Sequence, residues 1–377
     1  MTPNNPTRPR VTSVDALRGF VMLLMVAECV GLPKVAQQFP DNPVWQAVRF
    51  HTTHVEWVGC SLHDLIQPTF SFLVGAAAVF SLANRKERGE PFWKSLLHAI
   101  FRAAFLVAWG VIMRSFGTTR TNFTFEDTLS QIGLGYVPLF LIAHLKPKWW
   151  WVWLGGILLL YWWAFALNGW LGGDYASGWA KNDNPASYFD YWFLNLFPRE
   201  KPFTHNGGGY ATLSFIPTLG TMILGLIAGE WLRTQSRWGT AFILGVVGVC
   251  GIGAGVLLGE LGVCPIVKRI WTPNWVLFSG GWCFLLLALF HTLSDGIGYR
   301  GWTYPLRVIG ANSILIYTLA DSPVPAFVWT QVEKHLPAGT YTVFGDGWKS
   351  VLRGSVWMVL AWLLLWWLYL KRVFVRV

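Results

Sequence analysis

Residues 51–68, HTTHVEWVGCSLHDLIQP, hold His51, His54 and His63 together with Glu56 and Asp64. An imidazole titrates near neutrality, so it can take or give a proton under ordinary conditions. A histidine oriented by a carboxylate serves as a general base or as a nucleophile. Histidines and carboxylates also ligate metals, but His51, His54 and Glu56 do not form the helical H-E-x-x-H pattern. A third chemistry is a proton path through Glu28, Asp64 and His54, since ionisable groups within apolar spans commonly form relays. Elsewhere, polar side chains interrupt apolar runs at helical spacing. Asp64, Pro68, Ser71 and Gly75 form one such stripe, and Asp127, Gln131, Gly135 and Pro138 form another. Asp15 and Arg18 lie three apart on one face and can pair. Asn312 sits alone in ANSILIY, where an interhelical hydrogen bond is the simplest use for it. Spacing alone does not choose between a proton relay and acid–base catalysis.

These groups need a scaffold, and composition identifies its class. The chain has 377 residues, 54% hydrophobic and 13% charged, whereas soluble domains are about a quarter charged. Apolar runs of roughly 20 residues, each long enough to cross a bilayer, recur throughout. The expected fold is all-α, a polytopic bundle of about ten transmembrane helices forming one domain over 1–377. The spans fall near 16–35, 62–83, 95–114, 127–145, 149–167, 210–232, 239–259, 274–293, 304–322 and 349–370. WWWVW at 149–153 and the tryptophan pair at 366–367 suit the headgroup level.

An even number of spans puts both termini on one side. The loops on that side are short and basic: Arg85-Lys86-Glu87-Arg88, Lys146 and Lys148, Arg233 and Arg237, Arg300 and Arg307, Lys371-Arg372. The positive-inside rule makes that side cytoplasmic. Residues 51–68 then face outward, as does the long loop 168–209, whose aromatic, Asn and Asp content suits either a sugar or a plain surface cap. The net charge of +10 follows from these loops. No basic patch interleaved with aromatics marks a nucleic-acid surface, so no nucleic-acid partner is expected. Arg8 and Arg10 before the first apolar run mimic a signal peptide, but Asp15 and Arg18 interrupt the run and no cleavage site follows. Of five cysteines, Cys60 and Cys264 are the pair that could meet outside the membrane, and Cys29, Cys250 and Cys283 read as packing residues. Gly225 and Gly229, and Gly251, Gly255 and Gly259, recur every four residues and let helices approach closely, within one chain or at a homodimer seam.

Several blocks resemble the heparan-α-glucosaminide N-acetyltransferase-like family of membrane acyltransferases. They are SVDALRGFVMLLMV (13–26), HVEWVGCSLHDLIQPTFSFLVG (54–75), DTLSQIGLGY (127–136), GGGYATLSFIPTLGTMILGLIAG (207–229) and IGANSILIY (309–317). They occur in the family's order and cover nearly the whole chain, as in bacterial relatives without the long lumenal N-terminal segment. The resemblance implies transfer of acetyl from cytoplasmic acetyl-CoA to an amino sugar or other glycan across the membrane, with the bilayer and that acceptor as partners. It singles out His54, in His-x-x-Trp-x-Gly, as base or acetyl carrier. Asp64 is its nearest partner, and Gln131 and Asn312 are expected as donors to the thioester carbonyl. Trp57, Asp127 and Glu28 are expected to face the acceptor. Arg18, Arg102 and Arg307 are expected to meet the phosphates of CoA. No metal is expected, and the location is a bacterial inner membrane. The chain departs from the lysosomal enzyme at two positions. Cys29 stands where that enzyme has a functional Asn, and Ala320, beside Asp321, where it has a His. An acceptor other than a terminal glucosamine is compatible with both. The alternative is a proton-coupled transporter using Glu28, Asp64 and His54.

Overall fold

Side-chain caps set where five of the helices begin. Asn42 accepts from the backbone of Val44 and Trp45 to start the helix Pro43–His51, with Pro43 in its first turn. Asp127, Asn184, Ser236 and Thr272 cap the helices Thr128–Ala143, Pro185–Phe193, Arg237–Glu260 and Pro273–His291 in the same way. The computed structural model describes residues 11–170, 178–337 and 339–375. Arg8 and Arg10, and residues 171–177 of the long loop, lie outside the described residues.

In chain order the helices are α1 (Thr12–Ala27), α2 (Leu32–Ala36), α3 (Pro43–His51), α4 (Ile66–Glu87) and α5 (Phe92–Arg114). Then come α6 (Thr128–Ala143), α7 (Pro147–Trp170), α8 (Pro185–Phe193), α9 (Phe215–Thr234) and α10 (Arg237–Glu260). The last are α11 (Pro273–His291), α12 (Tyr304–Gly310), α13 (Ser313–Ala320), α14 (Val324–Glu333) and α15 (Lys349–Leu370). Among the described residues there is no strand. Two isolated bridges occur, Val58 with Val267 and Ala180 with Asp183.

Among the described residues seven helices are long and apolar enough to cross a membrane: α4, α5, α7, α9, α10, α11 and α15. The other three expected spans are shorter or broken. Helix α1 has 16 residues and gives way to a tight turn at Glu28–Val30, and α6 also has 16. The run at 304–322 divides into α12 and α13, because Asn312 leaves helical geometry (φ −128°, ψ 45°). Its amide explains the break. Nδ2 donates to Val373 O at 3.2 Å, and Oδ1 accepts from Val375 N at 2.8 Å, so Asn312 ties down the C-terminal segment. The expected loop 168–209 carries helix α8, whose Asp190 accepts from Thr212 N at 2.9 Å and anchors it to the start of α9.

Helix α9 is the centre of the bundle, the most buried of the long helices. It meets α4 backbone to backbone. A Cβ on Gly75 would lie 1.8 Å from Met222 O, and one on Gly225 would lie 1.9 Å from Phe72 O. Gly229 touches Ala76 in the same seam. Gly251 and Gly255 of α10 pack on α11 at Leu277, Gly281 and Phe278. These small residues therefore serve helix contacts within one chain, where van der Waals packing is what holds helices together in lipid. Helix α1 crosses α12 in the same manner, with Gly19 against Leu306 and Gly310 against Asp15. All five cysteines, Cys60 and Cys264 included, are unpaired.

Candidate active site

The loop after α3 is held by its own backbone. Thr52 and Thr53 hydroxyls donate back to Val48 O and Arg49 O. Gly59 sits at φ 117°, which a side chain would oppose, and its N–H donates to Ile266 O at 2.9 Å. With the Val58–Val267 bridge, this docks the loop onto residues 266–268 and brings Lys268 beside His54.

Asp64 is the hub. Its side chain is buried, and Oδ2 accepts from Val55 N and Ser61 N, both at 3.1 Å, with the Ser61 hydroxyl at 3.0 Å. Oδ1 lies 2.8 Å from His54 Nδ1 and accepts from Lys268 Nζ at 3.1 Å. A buried carboxylate with this many donors is held ionised. It therefore places the imidazole proton on Nδ1 and leaves the Nε2 lone pair for chemistry. The Lys268 ammonium, 3.2 Å from Nδ1, then acts on the ring through charge rather than as a bonded donor. Burial is the largest influence on His54 and pulls its pKa below the ordinary histidine value. Lys268 and His63 push the same way, and the Asp64 bond opposes them. His54 is thus neutral at pH 7. The His63 ring stacks 4.5 Å from that of His54, and its Nε2 lies 3.4 Å from Glu28 Oε2.

His54 opens on a cavity of about 620 Å³ whose wall includes Glu28, His63, Arg114, Glu126, Asp127 and Lys268. Cys29, Ala320 and Asp321 line it too, so both departures from the lysosomal pattern fall at this one site. Burial raises the Glu126 carboxyl above its ordinary value, against the pull of a backbone hydrogen bond and of Arg114. A second cavity of about 500 Å³ lies toward the other end of the bundle, lined by Arg18, Arg102, Arg307, Asp15 and Tyr136. There Asp15 pairs with Arg18 at 3.3 Å, and Arg102 donates to the Tyr136 hydroxyl at 3.2 Å.

The singled-out residues divide cleanly. His54, Glu28 and Asp127 line the first cavity, with Asp64 directly behind His54. Asp127 also uses Oδ1 to cap α6 through Leu129 N and Ser130 N. Arg18, Arg102 and Arg307 line the second cavity. Gln131 is buried behind the first cavity's wall, its Oε1 accepting from Gln67 and Thr218. Trp57 does not line the cavity. Its indole donates to Trp179 O at 3.0 Å, tying the His54 loop to an apolar cluster that includes Phe165 and Trp179. Asn312 lies between two residues of the second cavity's wall, Ala311 and Ser313. His51 accepts weakly from Leu62 N and takes no part. Lys268, Arg114 and Glu126 escaped the reading of the sequence. Lys268-Arg269 had a usable signal, a cation pair in a loop on the side where basic residues are sparse.

The chain is 22% identical to human (Homo sapiens) heparan-alpha-glucosaminide N-acetyltransferase, over 97% of its own length and 60% of that protein's. It is 23% identical to the mouse (Mus musculus) enzyme, over 82% of its own length and 53% of that protein's. It is a distant relative of these acetyltransferases. The chain spans less than two thirds of the length of the curated relatives it matches. No family model matches it. Seven apolar helices and this kinship make the chain an integral membrane protein.

Proposed function

We propose that the chain is a membrane acetyltransferase with donor and acceptor at opposite ends of the bundle. Acetyl-CoA enters the arginine-lined cavity, where Arg18, Arg102 and Arg307 meet its phosphates. An amino sugar or other glycan occupies the His54 cavity. The observation that carries this reading is the neutral His54, held by Asp64 through Nδ1 with Nε2 left free at a cavity. In direct transfer, the acceptor amine forms a bond to the thioester carbonyl carbon while Nε2 takes its proton. The C–S bond then breaks, and the proton passes from His54 to the departing thiolate of CoA. If acetyl rests on His54, Nε2 bonds to the carbonyl carbon first and the C–S bond breaks, with CoA leaving as the thiolate. The amine then displaces acetyl as the C–Nε2 bond breaks, and the amine proton passes through Nε2 to that thiolate. The basic end of α4, at Arg85, Lys86 and Arg88, lies beyond Ser81 on the arginine-cavity side. That supports cytoplasmic termini and an inner-membrane location with the His54 cavity outside.

The test is transfer across a sealed bilayer. Liposomes containing the protein and glucosamine receive acetyl-labelled acetyl-CoA from outside. Labelled acetylglucosamine inside the vesicles supports the proposal. Sugar or proton uptake driven by a pH gradient, with no acetyl-CoA turnover, replaces it with a transporter.

The Lys268 charge gives a pH prediction. Transfer requires neutral His54, so the acid limb of kcat/KM lies below the ordinary histidine value near 6.5. Lys268→Met removes a charge that disfavours the imidazolium, so His54 becomes more basic and the acid limb moves to higher pH. Lys268→Arg keeps the charge and leaves the limb near its wild-type position. A pH–rate series on the three proteins decides, and an unmoved limb in Lys268→Met contradicts the electrostatic role.

A further inference from the structure

Five helices contribute to the walls of both cavities, α5 among them with Arg114 in the first and Arg102 in the second. Helix α1 offers Met25 to the first and Arg18 to the second, and α4 offers Gln67 and Val74. Helix α6 offers Thr128 and Ile132, and α13 offers Tyr317 and Ile314. On α4 the lining positions Gln67, Phe70, Val74, Ala78 and Ser81 recur every three or four residues, which is one continuous helix face. The cavities are therefore two lengths of one seam through the bundle. Of the residues lining them, Phe70 alone belongs to both. Its ring is buried. Apolar lining residues include Met22 and Ile66 in the first cavity and Leu106 and Leu129 in the second.

We infer that Phe70 is the septum of this seam, a positioning residue that keeps water in the two cavities from joining while acetyl is handed past it. An apolar constriction blocks water and ions by dewetting even where a small gap exists. The chemistry needs such a block. A thioester open to bulk water from the acceptor side is hydrolysed instead of transferred, and a water-filled seam would conduct protons across the membrane. A ring is the right device, because it can close the passage yet turn about its own bonds to admit the thioester end of CoA, which carries the acetyl group to His54. The adaptable thioether of Met22 beside it can follow that motion.

The inference rests on the two cavities being donor and acceptor ends, but its test contains neither donor nor acceptor. It therefore fails or succeeds apart from the transfer assay. Wild type, Phe70→Ala, Phe70→Leu and Phe70→Trp are reconstituted in liposomes holding a pH gradient, and its decay is followed by an internal dye. Phe70→Ala is expected to collapse the gradient at least about tenfold faster than wild type, Phe70→Leu to lie between, and Phe70→Trp to remain tight. Gel-filtration profile and melting temperature establish that each variant is folded. A folded Phe70→Ala as tight as wild type overturns the inference. If Phe70→Ala does not fold, a folded Phe70→Leu as tight as wild type overturns it equally.

Discussion

His54→Ala is expected to remove acetyl transfer almost entirely while leaving a folded protein that still binds acetyl-CoA. General acid–base catalysis contributes about 10²–10⁴-fold, and a group that also carried the acetyl would add to that loss. Only the Nδ1 side of His54 is tied into the fold, through Asp64. The side chain is 37% exposed, so its removal opens the cavity slightly rather than breaking the core. Asp64→Asn tests the other half of the pair. It keeps the shape but loses the ionised acceptor that holds the proton on Nδ1, so Nε2 is protonated part of the time. It also removes the group that raises His54 basicity, the bond and charge of Asp64. Turnover then falls on both counts, and Lys268 is left without its carboxylate partner. The measurements are acetyl transfer and acetyl-CoA binding by calorimetry on the same preparations. A His54→Ala protein that retains wild-type turnover would remove His54 from the mechanism. Loss of binding together with turnover would move its role to holding the donor.

How much of this was legible in the sequence depends on the distance along the chain. His54 and Asp64 are ten residues apart and share one loop–helix junction, so spacing and motif could suggest the pair. Lys268 completes that pair from 204 residues beyond Asp64. It arrives only because Gly59 and Val58 pair with Ile266 and Val267, a contact that no periodicity foretells. The three arginines were chosen as cations near one membrane face, a choice that positive-inside charge explains equally well. Only the fold gathers them around one cavity. Asn312 shows the opposite case. A lone amide in an apolar run reads as a polar group between continuous helices, and hydropathy averages straight across it. The structure ends one helix there and uses both ends of the amide on the C-terminal backbone, which lies 61 residues on. The helices at 32–51 were equally hidden. They are short, and α3 has no buried residue, so no apolar face marked them; the Asn42-Pro43 start signal of α3 was the one cue the pattern offered.

The second large effect lies in the α4–α9 seam, where Gly75→Ala is expected to cost more than an ordinary overpacking change of about 1–3 kcal/mol. The added methyl would stand 1.8 Å from Met222 O. A side chain could rotate away, but a backbone carbonyl in the most buried helix of the bundle cannot, so the two helices must part. Gly225→Ala meets Phe72 O at 1.9 Å and forces the same separation from the other side. Helix–helix association in lipid rests on close packing rather than on a hydrophobic drive, so nothing compensates for lost contact along the seam. The damage reaches the site as well. Helix α4 follows directly on Asp64 and carries Phe70, so moving it loosens the His54–Asp64 pair and opens the septum together. The control is Gly253→Ala on α10, where a Cβ meets nothing within 4 Å. The chemical change is identical, and alanine is the better helix former, so that variant is expected to melt at or slightly above the wild-type temperature. Melting of wild type and the three variants in detergent, followed by size-exclusion fluorescence, compares them directly. Gly75→Ala melting with wild type would mean that α4 and α9 do not touch backbone to backbone, and the placement of Asp64 by that seam would go with it.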